Sequence, residues 1–532
     1  MTASRRDFLT GTLGGWLANQ VAPERGRIEG RIVGASHAVG HLLVQGGPSA
    51  SPVSTETCDV LVVGGGISGL SAAWRLGHES LDVRVIDLEP FLGGTSTWGE
   101  EGVVPHPWGA HYLPAPNLEA RAALRLLEEM GTLLRYDAAG RPVFDPVRLC
   151  HAPQERLFYK GAWHSGLAPR DALDDTEEAE LSRFEALMDE LQDKRGADGR
   201  YLFQIPVELS SRDPENLALD RMTFANWLEA NGFRSPFVRW YARYATLDDF
   251  GAEPENVSAW AGIHYFTSRK QESEALAGSR FLVWPEGNGR LAHALHAASG
   301  ARFTAGMLAV LVQETDAGVE VKVIDVENKV VRTIRSRATV LATPAFVARR
   351  IFPQAASLLP VRTASPWLVA NLHVTRPLDP NQAWDSVLFE ADGLGYVDAA
   401  HQLTPPSDRT VLTYFRAFGA SDVARSRKDL LESSWERLTT SVLRDLGRAH
   451  PDLRQHTSRV DLMLWGHAMP RPETGFLGAS PFAPTRRIGR RVTFGHVDLA
   501  GMALFEEAQR AGVLAAEAAL GVLGLNARES WA

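Results

Sequence analysis

The clearest pattern of apolar and polar positions lies between Cys58 and Asp87. Cys58–Val63 is a short apolar run rich in β-branched residues, which is typical of a strand buried on both faces in a parallel sheet. A glycine-rich turn follows, then the helical pattern of Leu70–Gly77 and a second buried run, VRVID, that ends at Asp87. This alternation predicts a strand–helix–strand unit and an α/β fold.

The turn after the first strand fits the G-x-G-x-x-G pattern of dinucleotide-binding units, with the sequence Gly64-Gly65-Gly66-Ile67-Ser68-Gly69. In this pattern Gly64 makes the tight turn, Gly66 lets the backbone approach a pyrophosphate, and Gly69 lets the helix pack closely on the strand. Ile67 and Ser68 belong to this turn, and the N-terminus of the helix that follows faces the phosphates. The turn is therefore predicted to bind a nucleotide.

Two features after the turn distinguish between nucleotides. Asp87 lies 23 positions after Gly64, close to the offset of roughly 20 at which an acidic residue holds a ribose hydroxyl. The pair Gly93–Gly94 begins six positions after Asp87. These residues resemble the flavin-dependent amine oxidase superfamily, which includes monoamine and polyamine oxidases, protoporphyrinogen oxidase and phytoene desaturase. The resemblance implies FAD as the cofactor, because members carry this pair beside FAD whereas NAD dehydrogenases lack it.

Three later stretches also resemble this superfamily. Phe281–Gly300 resembles its return segment, and Val331–Pro353 resembles its V-V-x-A-x-P strand. Arg491–Leu520 resembles the closing FAD motif, in which the matching residues are Glu506, Ala508, Gly512, Ala515 and Ala516. Where the motif has a glutamate, this chain has GHVD, and we expect Asp498 to make the ribityl contact instead.

A second glycine motif offers an alternative nucleotide site. Gly287–Ala292 fits G-x-G-x-x-A and precedes a helical pattern, as in reductases that use both FAD and NADPH. The strand that follows, Met307–Thr315, has no acidic residue at the ribose position before Glu314. A single FAD site is therefore favoured, with electrons leaving the flavin to oxygen, a quinone or another protein.

The resemblance implies a Rossmann-like FAD-binding domain interleaved with an α+β substrate domain. The stretches assigned to the FAD-binding domain are 57–115, 281–354 and 486–525. Those assigned to the substrate domain are 116–280 and 355–485. Alternation around Lys160-Gly161 predicts a hairpin, and the stretch KDLLESSWERLTTSVLRDLG predicts one helix. Residues 31–56, rich in Gly, Pro, Ser and Ala, are predicted to form a linker or a segment that wraps over the surface.

Residues 1–30 resemble a twin-arginine export signal. Arg5–Arg6 precedes Phe8–Leu9 and a weakly apolar, Gly-rich run, which fits the pattern S-R-R-x-F-L. The resemblance implies the twin-arginine translocase as a partner and a periplasmic or exported location. If the segment is only a basic tail, the protein stays in the cytoplasm. The sequence has no apolar run of about 18 residues, so no membrane-spanning helix is expected.

The net charge and the composition limit which other partners and cofactors are expected. The chain has 532 residues, a formal net charge of −9 and two cysteines, Cys58 and Cys150. The negative charge argues against nucleic acid, which needs a basic surface. The cysteines are expected to be buried apolar residues, with a single bridge between them as the alternative. The histidines show no metal-ligand spacing, so no metal is expected.

Three clusters of polar and aromatic residues are candidates for the substrate side. His111 follows the glycine pair in a Pro-rich stretch, whose alternative role is rigid packing. Asp248 and Asp249 lie near several aromatic residues and predict either an acidic pocket for a cation or a helix cap. His111 and His264 are candidate bases for deprotonating an amine. Trp465 lies in a segment that resembles the one bringing an aromatic side chain to the flavin face.

One departure from the superfamily bears on the reaction. Many of its amine oxidases carry a lysine that bonds flavin N5 through water, but the matching stretch Ser365–Pro377 has Asn371 and His373 as its polar residues. The predicted function is an FAD-dependent, amine oxidase-like oxidoreductase, in which a hydride passes from a small-molecule substrate, such as an amine, to flavin N5. The alternatives are a desaturase or dehydrogenase acting on a lipid-like or terpenoid substrate, and a non-enzymatic flavin-bound redox subunit.

Overall fold

The computed structural model describes residues 28–44, 51–270, 279–379, 381–479, 486–525 and 529–532. Residues 1–27, which hold nearly all of the predicted export segment, lie outside the described residues. Within the described ranges, the helices are all too short or too polar to cross a bilayer.

The described strands, in chain order, are β1 Ile32–Gly34, β2 Ser54–Val63, β3 Val83–Ile86, β4 Trp98–Gly99, β5 His106–Pro107, β6 Tyr112–Pro114, β7 Leu133–Tyr136, β8 Pro142–Phe144, β9 Glu155–Tyr159, β10 Ala162–Ser165, β11 Phe281–Val283, β12 Arg302–Thr304, β13 Met307–Glu314, β14 Val319–Asp325, β15 Val330–Leu341, β16 Ala364–Val374, β17 Asp385–Leu388, β18 Gly395–Asp398, β19 Thr410–Ala417, β20 Thr457–Pro470 and β21 Val492–Phe494. The described α-helices are α1 His37–Gly40, α2 Ile67–Gly77, α3 Arg121–Glu129, α4 Asp175–Asp193, α5 Pro214–Ala218, α6 Phe224–Ala230, α7 Pro236–Phe250, α8 Ala259–Thr267, α9 Gly289–Ser299, α10 Ala345–Ile351, α11 Val423–Leu431, α12 Trp435–Leu446, α13 Leu453–His456 and α14 Phe505–Val522.

The first sheet contains the predicted strand–helix–strand unit. Its strand order is β12-β3-β2-β15-β14-β13, and β21 pairs with the end of β15. Strands β12, β3, β2, β15 and β21 run parallel, and Val60–Val62 of β2 are fully buried, as an apolar run in a parallel sheet requires. Helix α2 packs against α9 and α14. The predicted α/β class and Rossmann-like sheet are confirmed.

The second sheet belongs to the predicted substrate domain. Its order is β1-β20-β16-β19-β18-β17-β9-β10. The hairpin predicted around Lys160-Gly161 joins β9 to β10, and both turn residues have positive φ, 48° and 82°. A cluster of buried aromatic residues from α4, α6, α7 and α8 joins this sheet to the helices. The domain boundaries assigned from the sequence stay a prediction.

The structure differs from the sequence prediction in two places. The stretch predicted as one helix is divided into α11 and α12, because the extended Ser434 accepts a hydrogen bond from the Arg437 amide and starts a new helix. Within residues 31–56, predicted as a linker, Ile32–Gly34 pairs in parallel with β20. The strand is too short to show a periodic pattern of apolar residues. Its backbone pairs with a strand that lies more than 400 positions later in the chain.

Candidate functional site

The glycine turn lines a cavity of about 750 Å³, and six of the predicted turn and pair residues contribute to its wall: Gly64, Gly66, Ile67, Ser68, Gly93 and Gly94. Gly64 has a φ of 110°, and a Cβ there would lie 2.7 Å from the carbonyl oxygen of Ala342. A Cβ on Gly66 would meet only the Cα of Gly94, at 3.9 Å, so this glycine leaves open space in the cavity. The turn therefore lets a ligand approach the backbone.

The Gly93–Gly94 pair packs against the Gly64–Gly69 turn. The amide of Gly93 donates to the carbonyl of Gly65 at 2.8 Å, and Gly93 also lines the cavity. A Cβ on Gly94 would lie 3.2 Å from the Cα of Gly66. The two glycine-rich segments thus form a cradle without side chains, which is the surface that a pyrophosphate needs beside a helix N-terminus.

Asp87 lies at the end of β3, where the sequence places the ribose acid. Its carboxylate lines the cavity and accepts hydrogen bonds from the backbone amides of Gly65 and Glu89. Burial raises the pKa of Asp87 to about 6, although these amides favour the charged form. The amides fix the carboxylate beside the turn, so Asp87 is positioned to hold a ribose hydroxyl.

The C-terminal residues complete this half of the cavity. Asp498 lines it and accepts a hydrogen bond from the Ala345 amide at 2.7 Å. Burial acts to raise the pKa of Asp498, but His496 and the Ala345 amide lower it overall, so the residue is charged at neutral pH. Ala508 lines the cavity as well.

Gly69 and Gly512 have packing roles instead of lining the cavity. A Cβ on Gly69 would lie 1.8 Å from the carbonyl oxygen of Gly64, and one on Gly512 would lie 1.9 Å from that of Ser68. These glycines let the turn, α2 and α14 approach each other. The glycine cradle, Asp87 and the N-terminus of α2 together fit the ADP half of FAD.

The alternative glycine motif at Gly287–Ala292 does not form a comparable cradle. The preceding strand, β11, pairs antiparallel with β6 and stands outside the Rossmann-like sheet. A Cβ on Gly287 would lie 2.8 Å from the carbonyl oxygen of Ala110, and one on Gly289 would lie 2.7 Å from the Trp98 ring. Both glycines are therefore explained by packing against protein.

The same cavity extends to Asp248 and Asp249 at the other end. Both lie in the last turn of α7, which Gly251 terminates in the left-handed conformation. A helix C-terminus disfavours negative charge, so the two carboxylates do not cap the helix. Burial, together with the neighbouring charges of Asp249 and Glu155, raises the pKa of Asp248 to about 8. The predicted acidic pocket is thus present, and Asp248 is mostly protonated at neutral pH.

Sequence reasoning missed several charged residues around this pocket. Burial raises the pKa of Asp249 to about 6, but Arg269 opposes the shift. Arg269 lines the cavity and forms an ion pair with Glu506, in the first turn of α14. Glu155, whose pKa burial raises to about 7, is a register partner of the buried Asp385. The strand and loop patterns gave no signal for these pairs, because each joins distant parts of the chain.

The two candidate histidines lie in different environments. His111 lines the cavity, its ring packs 4.9 Å from that of Phe415, and burial lowers its pKa to about 4. It is therefore neutral at pH 7, and the low pKa makes it a weaker base than an ordinary histidine. His264 is not among the lining residues: it stacks on Trp260 and hydrogen-bonds the carbonyl of Gln204 at 3.0 Å. The face of α8 that carries His264 is directed into the aromatic core, which accounts for this position.

Aromatic and apolar residues form the remaining wall of this end. Trp465 lines the cavity and is held by a hydrogen bond from its Nε1 to the Trp108 carbonyl at 2.7 Å. From β16, Trp367 and Val369 reach the cavity, whereas Asn371 donates to the Pro107 carbonyl at 3.0 Å. Lysine is absent from the described residues that line the cavity.

The described residues include neither a cluster of metal-ligating side chains nor a disulfide. No group of three or more histidine, cysteine, aspartate or glutamate side chains there is arranged to hold a metal ion. Cys58 and Cys150 are both free thiols. Burial raises the pKa of the Cys58 thiol to about 12, so this residue is not a reactive thiolate.

Comparisons with known proteins agree with this geometry. The NAD(P)-binding Rossmann-like domain family matches residues 62–129. Putrescine oxidase bound to putrescine superimposes with a TM-score of 0.64 and 17% identity, over 88% of this chain and 100% of that chain. Cyclohexylamine oxidase from Brevibacterium oxydans IH-35A gives a TM-score of 0.64 and 20% identity, over 88% and 99%. The chain has the amine oxidase fold.

One relative in sequence, a dehydrogenase, matches part of the chain. An L-amino acid dehydrogenase from Synechocystis sp. is 25% identical over 323 residues, which is 57% of this chain and 59% of that relative. The chain thus matches less than two thirds of the relative's length, and the alignment does not extend that protein's activity to this one.

Proposed function

We propose that the protein is an FAD-dependent oxidoreductase that oxidises an amine. The observation that supports this most directly is the single cavity that joins the glycine cradle to Asp248 and Asp249. When bound, FAD would accept the hydride that leaves the substrate carbon. The protein binds and orients the amine and controls its proton.

The acidic end of the cavity suits an amine in both of its protonation states. An ammonium group is attracted by a carboxylate and by aromatic faces such as those of Tyr112 and Trp465. Hydride transfer needs the neutral amine, so its proton must move to a nearby base. The candidate acceptors of this proton are the ionised form of Asp248, a minority at neutral pH because the pKa is about 8, and the neutral His111, a weaker base because its pKa is about 4. The Tyr112 hydroxyl lies 3.5 Å from the Asp248 carboxylate and helps to position it.

The cavity disfavours the two alternative functions. A desaturase for a polyene or terpenoid would be expected to have a wholly apolar substrate end, whereas this end contains two carboxylates and Arg269. A non-enzymatic redox subunit has no need for a substrate pocket continuous with the cofactor site. Reduction of bound flavin by a substrate distinguishes the enzyme from the redox subunit.

The test is anaerobic reduction of the bound flavin. The purified protein is mixed with putrescine, cyclohexylamine, L-amino acids and polyenes, and flavin absorbance is followed. At least one amine is expected to bleach the flavin, and the polyenes are expected to leave it oxidised. Bleaching by polyenes alone, or by no compound in an extended amine panel, would contradict the proposal.

We further propose that, of the two small acceptors oxygen and a quinone, the quinone accepts the electrons. The superfamily's oxygen-reacting members often carry the flavin-facing lysine, and the described lining residues of this cavity include none. We therefore expect the reduced flavin to be reoxidised faster by a soluble quinone than by air. Stopped-flow reoxidation with each acceptor measures this directly, and faster reaction with air would reverse the assignment.

Export by the twin-arginine translocase is proposed from the sequence motif alone. Replacing Arg5 and Arg6 by lysine is expected to retain the protein in the cytoplasm, because the translocase recognises the arginine pair. Cell fractionation with a flavin assay of each fraction measures the change. Equal distribution of the wild type and the variant between compartments would show that the segment is not an export signal.

A further inference from the structure

An N-terminal segment forms part of the wall of the cofactor cavity. We define this segment, residues 35–44, as the strap. It follows β1, which is held in the second sheet, and it contributes Ala35, Ser36, His37, Gly40, His41, Leu43 and Val44 to the cavity lining. The sequence motifs of the cofactor site include none of these residues.

Both ends of the strap are anchored to the Rossmann-like domain. The backbone amide and the hydroxyl of Ser36 each donate to the Glu89 carboxylate at 2.9 Å. At the other end, Nε of Arg350 donates to the carbonyl of Leu43 at 2.7 Å. Between the anchors, a Cβ added to Gly40 would lie 3.5 Å from the Leu88 side chain. The strap therefore leaves the second sheet, passes the loop that follows β3 and ends against α10.

The position of the strap identifies which part of a dinucleotide it faces. Asp87, Leu88 and Glu89 line the same end of the cavity, and the acid at the end of β3 is the one that holds the adenosine ribose in this kind of unit. Met307–Ala309 of β13 line that end as well. The isoalloxazine must extend from there to the part of the cavity lined by Asp248. The strap begins next to Trp465, where the Ala35 amide donates to the Leu464 carbonyl at 3.4 Å, and from Ser36 onward it lies beside the residues that follow the ribose acid.

The side chains of the strap suit this position. His37 and His41 are exposed to solvent and line the cavity, and their rings lie 6.0 Å apart in a T-shaped arrangement. Aromatic rings and hydrogen-bonding nitrogens of this kind can contact an adenine ring or a pyrophosphate. We propose that the strap is a third wall of the cofactor site, which recognises the adenosine diphosphate half of FAD through His37 and His41. This inference rests on the proposed function, since it assumes that FAD is the dinucleotide.

Hydrogen exchange of the full-length protein tests the inference without any substitution. The flavin is removed and the protein is then supplied with FAD, ADP or FMN. Amides in residues 35–44 are expected to exchange more slowly with FAD and with ADP, but not with FMN, which lacks the adenosine half. Equal protection by FMN, or no protection by ADP, would overturn the assignment.

A double variant provides a second readout. His37→Ala with His41→Ala is expected to weaken FAD binding by about tenfold and to leave FMN binding unchanged. The matched control is Val53→Ala, because Val53 is exposed and lies outside the cavity lining. Unchanged FAD affinity in the double variant contradicts a binding role for the strap. Failure of the wild type to bind any flavin instead contradicts the proposed function, so the two failures are distinguishable.

Discussion

Gly66→Val is expected to yield a folded protein without bound flavin. Gly66 lines the cavity, and an added Cβ would meet only the Cα of Gly94 at 3.9 Å, so the side chain has room in the empty protein. The two methyl groups of valine would extend into the space between the glycine segments, which the pyrophosphate must enter. We expect flavin content to fall to roughly one tenth of the wild-type value or less, which corresponds to about 1.4 kcal/mol or more of binding free energy.

The measurement is flavin absorbance after acid precipitation, with circular dichroism to establish that the variant is folded. Gly521→Val is a matched control, since a Cβ at Gly521 in α14 has nothing within 4 Å. This control should retain flavin although it carries the same substitution in a helix of the same domain. Full flavin occupancy in Gly66→Val, with a native circular dichroism spectrum, would exclude the cradle as the cofactor site.

The cofactor half of the site could be predicted because its determinants are local in sequence. The strand, glycine turn, helix and acid all lie between Cys58 and Asp87, and each leaves a residue-type pattern with a direct physical cause. The match at Asp498 was also anticipated, although its carboxylate is already engaged by the Ala345 amide. The ribityl contact predicted for it therefore stays a prediction.

The substrate half was only partly predictable because its contacts are distant in sequence. Arg269 and Glu506 are separated by 237 positions, and no pattern in one stretch indicates the other. The strap was predicted only as a linker or wrapping segment, since it is anchored by a few hydrogen bonds to residues that are distant in sequence. His264 lies in the mostly apolar helix α8, and the sequence alone does not say whether such a helix turns a given residue toward a cavity or into the core.

Asp248→Asn is expected to remove the pH dependence of cation binding. In the wild type, burial raises the pKa of Asp248 to about 8, so the carboxylate becomes ionised as the pH rises from 6 to 9. A permanently charged quaternary ammonium ion binds the ionised form better, and its affinity should rise by up to about tenfold per pH unit below that pKa. In Asp248→Asn the affinity should be lower and nearly constant with pH. Flavin absorbance changes on binding provide the measurement, and a neutral analogue of the same shape is the ligand control.

Asp248→Asn should lower cation affinity but raise the stability of the folded protein at alkaline pH relative to the wild type. The folded-state pKa of Asp248 lies above the ordinary aspartate value of 3.8, so the folded protein binds more protons than the unfolded chain between about pH 4 and pH 8. The contribution of Asp248 to the free energy of unfolding therefore decreases as the pH rises through this window, and asparagine avoids that loss. The Tm of Asp248→Asn relative to the wild type should be higher at pH 9 than at pH 5. A variant that loses cation affinity but shows the wild-type pH dependence of Tm would mean that Asp248 is not the group titrating near pH 8, and the pocket's charge would then have to be assigned to Asp249.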